Sequence, residues 1–293
     1  MATAEDIRRI ATGQEQATTD EVIGLFEEAL EEAWNDEVAE ALDEAFGALE
    51  VREGPVRIAE MEEVIGELRP FLSRDMQRRM SSPVSQVIDA SYMIGQEQID
   101  VQAAASLNQM DRRALAWADD ITTRTIGDHY DRQARDRIQR VTREIFEDEG
   151  GVVGRVEAGE RFREAFKGEL DKSKSYWRRM ANDSVTRSRE FGRTEALVKA
   201  EIQQFEVNAI LDRATSDICQ ALNGKIYEVA QAVELRDALM EAQEPDELKN
   251  IAPWPTEDDA EDLEAADPAD LAEEGIVLPP YHGNCRTTIV AVQ

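Results

Sequence analysis

Leu278-Pro279-Pro280-Tyr281-His282-Gly283-Asn284-Cys285-Arg286-Thr287-Thr288-Ile289-Val290-Ala291-Val292 is the stretch from which the fold is read. Pro279-Pro280 fixes an extended entry to a turn. Asn284 tolerates a positive φ and can bond the loop internally. Thr287 to Val292 then reads as a β-strand. The chain has only 2 cysteines and 2 histidines, and one of each lies here, as His282-x-x-Cys285. The other cysteine lies in a second turn-rich segment, Asp212-Arg213-Ala214-Thr215-Ser216-Asp217-Ile218-Cys219-Gln220-Ala221-Leu222-Asn223-Gly224-Lys225. The two segments are expected to meet in space.

Around them the residues read as a small sheet. Ile202, Phe205, Val207, Ala209 and Leu211 give a strand ending at Asp212. Lys225 to Val229 gives a second strand after the Asn223-Gly224 turn. With the terminal strand these make a short antiparallel sheet. Between Ala230 and Gly275 lies an acidic stretch with Pro245, Pro253, Pro255 and Pro268. The run Glu257 to Asp262 has no apolar periodicity, so this part reads as an insertion, partly helical and largely solvated.

Everything before residue 200 reads as helix. Residues 1–19 are polar and read as a mobile arm, and Thr19-Asp20 caps the first helix. Val22, Phe26, Leu30, Trp34, Val38, Leu42, Phe46 and Leu49 recur at helical spacing along it. Gly54-Pro55 ends that helix. Ile58 to Met76 predicts another, with Pro70 as a kink or split and Ser82-Pro83 as a break. Val84, Val87 and Ile88 resume the pattern, and a further helix covers Ile126 to Ile145. Gly150-Gly151 marks a turn, and Phe162, Phe166 and Leu170 a short helix after it. From Tyr176 to about Lys199 a helix buries Trp177, Met180, Val185 and Phe191. Its polar face carries Arg178, Arg179, Arg187, Arg189 and Arg193. The fold class is mainly α with a small α+β C-terminal module. Its parts are an elongated helical N-terminal region (1–110), central helices (111–200) and the α+β module (201–293) with its acidic insertion at about 230–275.

The two cysteine segments together resemble the C-terminal signature of the phage Mu F-like, or phage head morphogenesis, family. The matching residues are Asp212, Thr215, Ser216, Cys219, Gly224, Pro279, Pro280, His282, Asn284, Cys285 and Arg286, in the family's order. Gly283 stands where the family usually has proline, and Leu222 stands where some members have a second cysteine. The resemblance covers about residues 176–293, including the Arg-rich helix, and is silent on 1–110. It implies a minor head (minor capsid) protein of a tailed virus, present in few copies in the head interior or portal region. The implied partners are the portal protein or the major capsid protein. The implied role lies in head assembly or genome delivery, without catalysis.

Composition bears on partners. The 293 residues hold 63 acidic against 33 basic side chains, for a net charge of -30. That charge opposes nonspecific binding to nucleic acid, so proximity to packaged DNA would be without specific contact. Abundant Asp and Glu with scarce Lys also fit a halophilic source, where the Debye length falls to roughly 3 Å at 1 M salt. An ordinary acidic helical protein is the competing explanation. No apolar run approaches the ~20 residues of a membrane span, and no signal peptide is evident. The product is expected to be made in the cytoplasm and later enclosed in a particle.

The motif residues support several chemistries. Cys219, His282 and Cys285 are candidate zinc ligands, with Asp212 or Asp217 as a fourth. A Cys219–Cys285 disulfide is a second possibility and a pair of reduced buried thiols a third. Asp212, Thr215 and Ser216 are expected to order their own turn and cap a helix over Ile218 to Leu222. Arg286 is expected to pair with Asp212 or Asp217 in a buried ion pair. A thiol–imidazole or metal-dependent hydrolase is the enzymatic alternative. Against it, His129 lies apart in a charged helix, and no phosphate loop or hydrolase motif occurs. A helical adaptor that binds a partner through its Val22–Leu49 stripe is a further alternative.

Overall fold

The computed structural model describes residues 18–33, 56–99, 107–148, 152–153, 160–161 and 174–292. The expected N-terminal arm, the first helix beyond residue 33 with its Gly54-Pro55 end, the Gly150-Gly151 turn and the helix over Phe162 to Leu170 lie outside them. So does the side chain of His129. The chain divides into two units, one formed by 1–26, 82–122 and 178–293, the other by 27–81 and 123–177.

Helix α1 (residues 19–33) begins one residue earlier than expected. Thr18 is the cap: its Oγ1 accepts the Glu21 N–H at 3.3 Å, and Glu21 returns a carboxylate to the Thr18 N–H at 2.7 Å. This reciprocal box satisfies two N–H groups that the helix leaves unpaired.

Helix α2 (Ile58–Ile99) runs unbroken through Pro70 and Pro83, so Ser82-Pro83 does not end a helix as expected. An internal proline costs about 3 kcal/mol. Beyond it Val84, Val87 and Ile88 are all buried, each worth about 1.5–3 kcal/mol. Burial outweighs the one lost hydrogen bond. Helix α3 (Gln109–Asp148) begins well before Ile126, under a box in which Asn108 Oδ1 accepts the Asp111 N–H at 2.9 Å.

In the smaller unit, β1 (Val56–Arg57) pairs antiparallel with β2 (Val152–Val153). The larger unit holds the C-terminal part of α2, the N-terminal part of α3, and α4 (Lys174–Lys199) from Arg178 onward. Here α2 and α4 cross at two glycines. A Cβ on Gly95 would strike the Arg189 carbonyl, and one on Gly192 the Tyr92 carbonyl. The backbones therefore meet directly, which only glycine permits.

A three-stranded antiparallel sheet packs with these helices in order β4-β3-β5. Its strands are β3 (Gln204–Asn208), β4 (Ile226–Glu228) and β5 (Thr288–Ala291). Phe205 faces Tyr227 and Ala291, and Val207 faces Ile289. Strand β3 stops at Asn208, short of the expected Asp212, and Ile210 and Leu211 are exposed. Beyond β3 the backbone turns off the ladder to form the Asp212 turn.

The acidic stretch is partly helical and largely solvated, as expected, and it also sends apolar side chains into the core of this unit. It forms α6 (Val229–Leu239), α7 (Leu248–Ile251), α8 (Ala260–Ala265) and α9 (Pro268–Glu273), after α5 (Asp217–Leu222). Leu235, Leu239, Leu248, Leu263 and Leu271 enter the same core as Phe205 and Ile289. Each short helix contributes about one leucine inward and leaves its carboxylates in water. Among the described residues, no helix is long and apolar enough to cross a membrane.

Two buried polar networks tie this unit together, one joining α4 to the sheet and the other joining helices to one another. Strand β5 is an edge strand, and α4 supplies what its outer edge lacks. The fully buried Glu190 accepts the Ile289 N–H at 3.1 Å and the Thr288 hydroxyl at 3.0 Å. Arg189 donates to the Thr287 carbonyl at 3.0 Å, and Arg193 to the Ile289 carbonyl. Arg189 and Glu190 also form an ion pair at 2.7 Å. Arg189 and Arg193 thus lie inside the fold, although they share the polar face of their helix. The second network centres on Asp111. Its carboxylate takes four donors: Tyr92 Oη, Gln96 Nε2, the Asn108 N–H and Lys199 Nζ. Nearby, Glu195 bridges Asn108 Nδ2 and Arg236 at 2.7 and 2.8 Å.

Candidate metal centre

The first cysteine segment folds into a turn and one short helix. Asp212 Oδ1 accepts the Ala214 N–H at 2.8 Å, and Thr215 Oγ1 accepts the Asp212 N–H at 2.8 Å while donating to the Ile210 carbonyl at 2.5 Å. Ser216 is the N-cap of α5 and accepts the Cys219 N–H at 3.1 Å. These bonds point Cys219 inward, and Ile218, Cys219 and Leu222 are buried. The helix ends at Asn223-Gly224. Gly224 sits at φ +82° and donates its N–H to the Val207 carbonyl at 2.8 Å.

The second segment approaches through Pro279-Pro280, joined by a cis peptide bond, and the buried Tyr281, whose hydroxyl donates to the Val277 carbonyl at 3.0 Å. Asn284 stands at φ 61°, and its N–H donates to Asp183 on α4 at 3.3 Å. Burial pushes the Asp183 carboxyl up to about 7. Thr186 on the same helix donates to the Cys285 carbonyl at 3.5 Å. The left-handed backbone at Asn284 carries a prediction. Asn284→Ala is expected to cost about 1 kcal/mol, whereas Asn284→Gly is neutral. Chemical denaturation of both variants checks this, and equal stability would refute it.

Together the segments bring three side chains to one point. Cys219 Sγ lies 3.0 Å from His282 Nε2 and 3.7 Å from Cys285 Sγ, and the three atoms lie within 4.8 Å of one another. Such a group can hold a metal ion. Cys219 and Cys285 are buried and His282 is half-buried, on the solvent side of the pair. His282 Nδ1 lies 2.8 Å from the Gly283 carbonyl, which can only accept. The proton is therefore on Nδ1, and Nε2 is directed at the sulfurs. A backbone carbonyl on the distal nitrogen is the usual orienting contact of a metal-bound histidine.

The electrostatics separate the two thiols. The hydrogen bond from Cys285, with help from His282 and Ser216, brings the Cys219 thiol down to about 4. The same neighbour and deep burial hold Cys285 well above the ordinary thiol range. Cys219 in turn raises His282. Without an ion, Cys219 is held toward its thiolate form beside His282, with the Cys285 thiol donating to the same sulfur. Ser216 Oγ lies 2.8 Å from His282 Nε2.

Arg286 pairs with Asp212 through both terminal guanidinium nitrogens, at 2.6 and 2.8 Å. The pair is partly exposed, at 37% and 44%, and is not the buried pair expected. Its geometry takes Asp212 away from the sulfurs, because both carboxylate oxygens are committed. Asp217 projects from α5 toward Gln220, and its N–H donates to Glu257 at 3.0 Å. Neither aspartate is a fourth member of the group among the described residues. Glu257, in the acidic stretch, carries no site signal in the sequence, yet its charge acts on His282 and it anchors the first N–H of α5. Asp183 and Thr186 are also unmarked as site residues. Their only sequence signal is their spacing on the face of α4 that carries Arg187 and Glu190.

No family model, curated protein or solved structure matches this chain.

Proposed function

We propose that this chain is a minor head protein of a tailed virus, docked near the portal or inner capsid, with a C-terminal module clasped by zinc. The observation that carries the reading is the convergence of the two resembling segments. Cys219 and Cys285 are 66 positions apart, yet their sulfurs are 3.7 Å apart. The motif residues on either side join segments or form turns. Asp212 binds Arg286, Ser216 caps α5, and Asn284 takes the left-handed turn. A motif spent on joining segments suits a structural protein, and the reading assigns it no turnover.

The donor set favours zinc. Two thiolates and an imidazole are its preferred ligands, and tetrahedral Zn–S bonds of about 2.3 Å place two sulfurs about 3.8 Å apart. The observed 3.7 Å between the sulfurs matches that spacing. Among the described residues the group has three donors, and His282 is the most exposed of them. The strongly negative charge of -30 supports residence beside packaged DNA without adhesion to it.

Quantitative mass spectrometry of purified particles, scaled to the portal protein, tests the assignment. Between a few and a few tens of copies per particle are expected. A protein abundant in infected cells but missing from particles would overturn the reading in favour of a helical adaptor.

A further inference from the structure

We propose that Cys219 and Cys285 exchange bound zinc for a disulfide when their surroundings become oxidising, so that one site clasps the module in two redox settings. The proposal rests on the zinc reading above.

Three observations carry it. The sulfurs lie 3.7 Å apart, and a disulfide needs about 2.05 Å. Roughly 1.7 Å of approach therefore separates the two arrangements. The sulfur-bearing residues sit where such an adjustment is local. Cys219 is on a six-residue helix, and Cys285 lies in the turn between Asn284 and β5. Finally, the described residues supply only three ligands, and the third, His282, is half-buried. Cys219 lies 3.0 Å from the half-buried His282 and keeps slight exposure, whereas Cys285 is fully enclosed.

The chemistry balances with a hydroperoxide as oxidant. The Cys219 sulfur attacks the distal peroxide oxygen, the O–O bond breaks, and hydroxide (or alkoxide) leaves, giving a sulfenic acid after protonation. The Cys285 sulfur then attacks Cys219, the S–O bond breaks, and a second hydroxide leaves. With hydrogen peroxide, two thiolates and one peroxide yield one disulfide and two hydroxides, which buffer protons convert to water. Both sulfurs are then lost as thiolate ligands, and zinc departs because among the described residues His282 alone is left to hold it. A protein made in a reducing cytoplasm and carried in a released particle would pass through both states.

The test uses the intact chain, reduced and loaded with zinc. Zinc uptake is measured first, by elemental analysis after gel filtration, and about one ion per chain is expected. Hydrogen peroxide is then added stepwise while a chromogenic chelator reports free zinc and intact-mass spectrometry reports the thiols. Zinc should be released in step with the loss of two hydrogens, and dithiothreitol with added zinc should restore the starting state. In Cys285→Ser, dimedone should label Cys219 and no two-hydrogen loss should occur. Retention of zinc and both thiols through the titration overturns the exchange while leaving the zinc reading intact. Release with sulfinic or sulfonic acid in place of the disulfide does the same. A folded chain that takes up no zinc overturns both, and particle mass spectrometry decides the viral role separately.

Discussion

Replacing Glu190 with Ala is expected to lower stability by about 3–5 kcal/mol, as removal of one member of a buried charge pair generally does. Glu190 is fully enclosed and holds Arg189, the Thr288 hydroxyl and the Ile289 N–H at once. Without it, two buried guanidinium groups lose their neutralising charge and the outer edge of β5 loses its acceptor. The expected consequence is local before it is global, because the inner edge still pairs with β3. Hydrogen exchange at the Ile289 amide should accelerate by several orders of magnitude, while the pairing of β3 with β4 persists. Glu190→Gln keeps the shape and should fall between the two. A loss under about 1 kcal/mol with unchanged exchange at Ile289 would refute this account of the edge.

Asp111→Leu is the second substitution with a large expected effect, about 3 kcal/mol. The carboxylate is enclosed and its four donors come from α2, the α3 cap and α4. A leucine leaves the Tyr92 hydroxyl, the Gln96 amide and the Asn108 N–H without that acceptor, and removes one anion from Lys199. The pH dependence has a definite sign. Burial acts to raise Asp111, but the bonds from Lys199, Asn108 and Tyr92 outweigh it and hold the group below its ordinary value. A carboxylate depressed in the folded state stabilises fully above its unfolded pKa of about 3.9, and this contribution disappears as pH falls through the lower folded value. Acid titration of Asp111→Leu should therefore lack one component of the wild-type loss below about pH 4. Superimposable acid profiles would show that Asp111 does not couple to folding.

The parts of the fold legible in the sequence are those set by short-range chemistry. Phe205 and Val207 alternate with polar residues, so β3 and its partners are readable from a period of two. Ser216 before Asp217-Ile218-Cys219 reads as a cap, and Asn284 as a left-handed position, because each acts on its own neighbours. His282 and the cysteines stand out by scarcity. What escapes reading is charge that is buried by partners far along the chain. Arg193 and Glu190 have the composition of a wet helix face, and their strand partners in β5 arrive 96 to 99 positions later. Leu248, Leu263 and Leu271 escape for another reason: helices of four to six residues are too short to show a 3.6-residue period. Pro83 misleads because a sequence shows the lost donor but not the core that offsets it.

The side-chain-capped edge of β5 also sets an order of events. Helix α4 and strand β3 are adjacent in the chain, whereas β5 joins them across 98 positions from Arg189 to Thr287. Contacts so distant in sequence form slowly, because the closing entropy is met before they reward it. During synthesis Arg189, Glu190 and Arg193 emerge early and remain hydrated until β5 is made. Desolvation of these three charges is then a closing step, taken once all donors and acceptors are present together. A nascent chain halted before β5 would display a charged groove on α4 beside an open β3 edge. That is a receptor shaped for one short strand, and the module's own later residues are the first in reach.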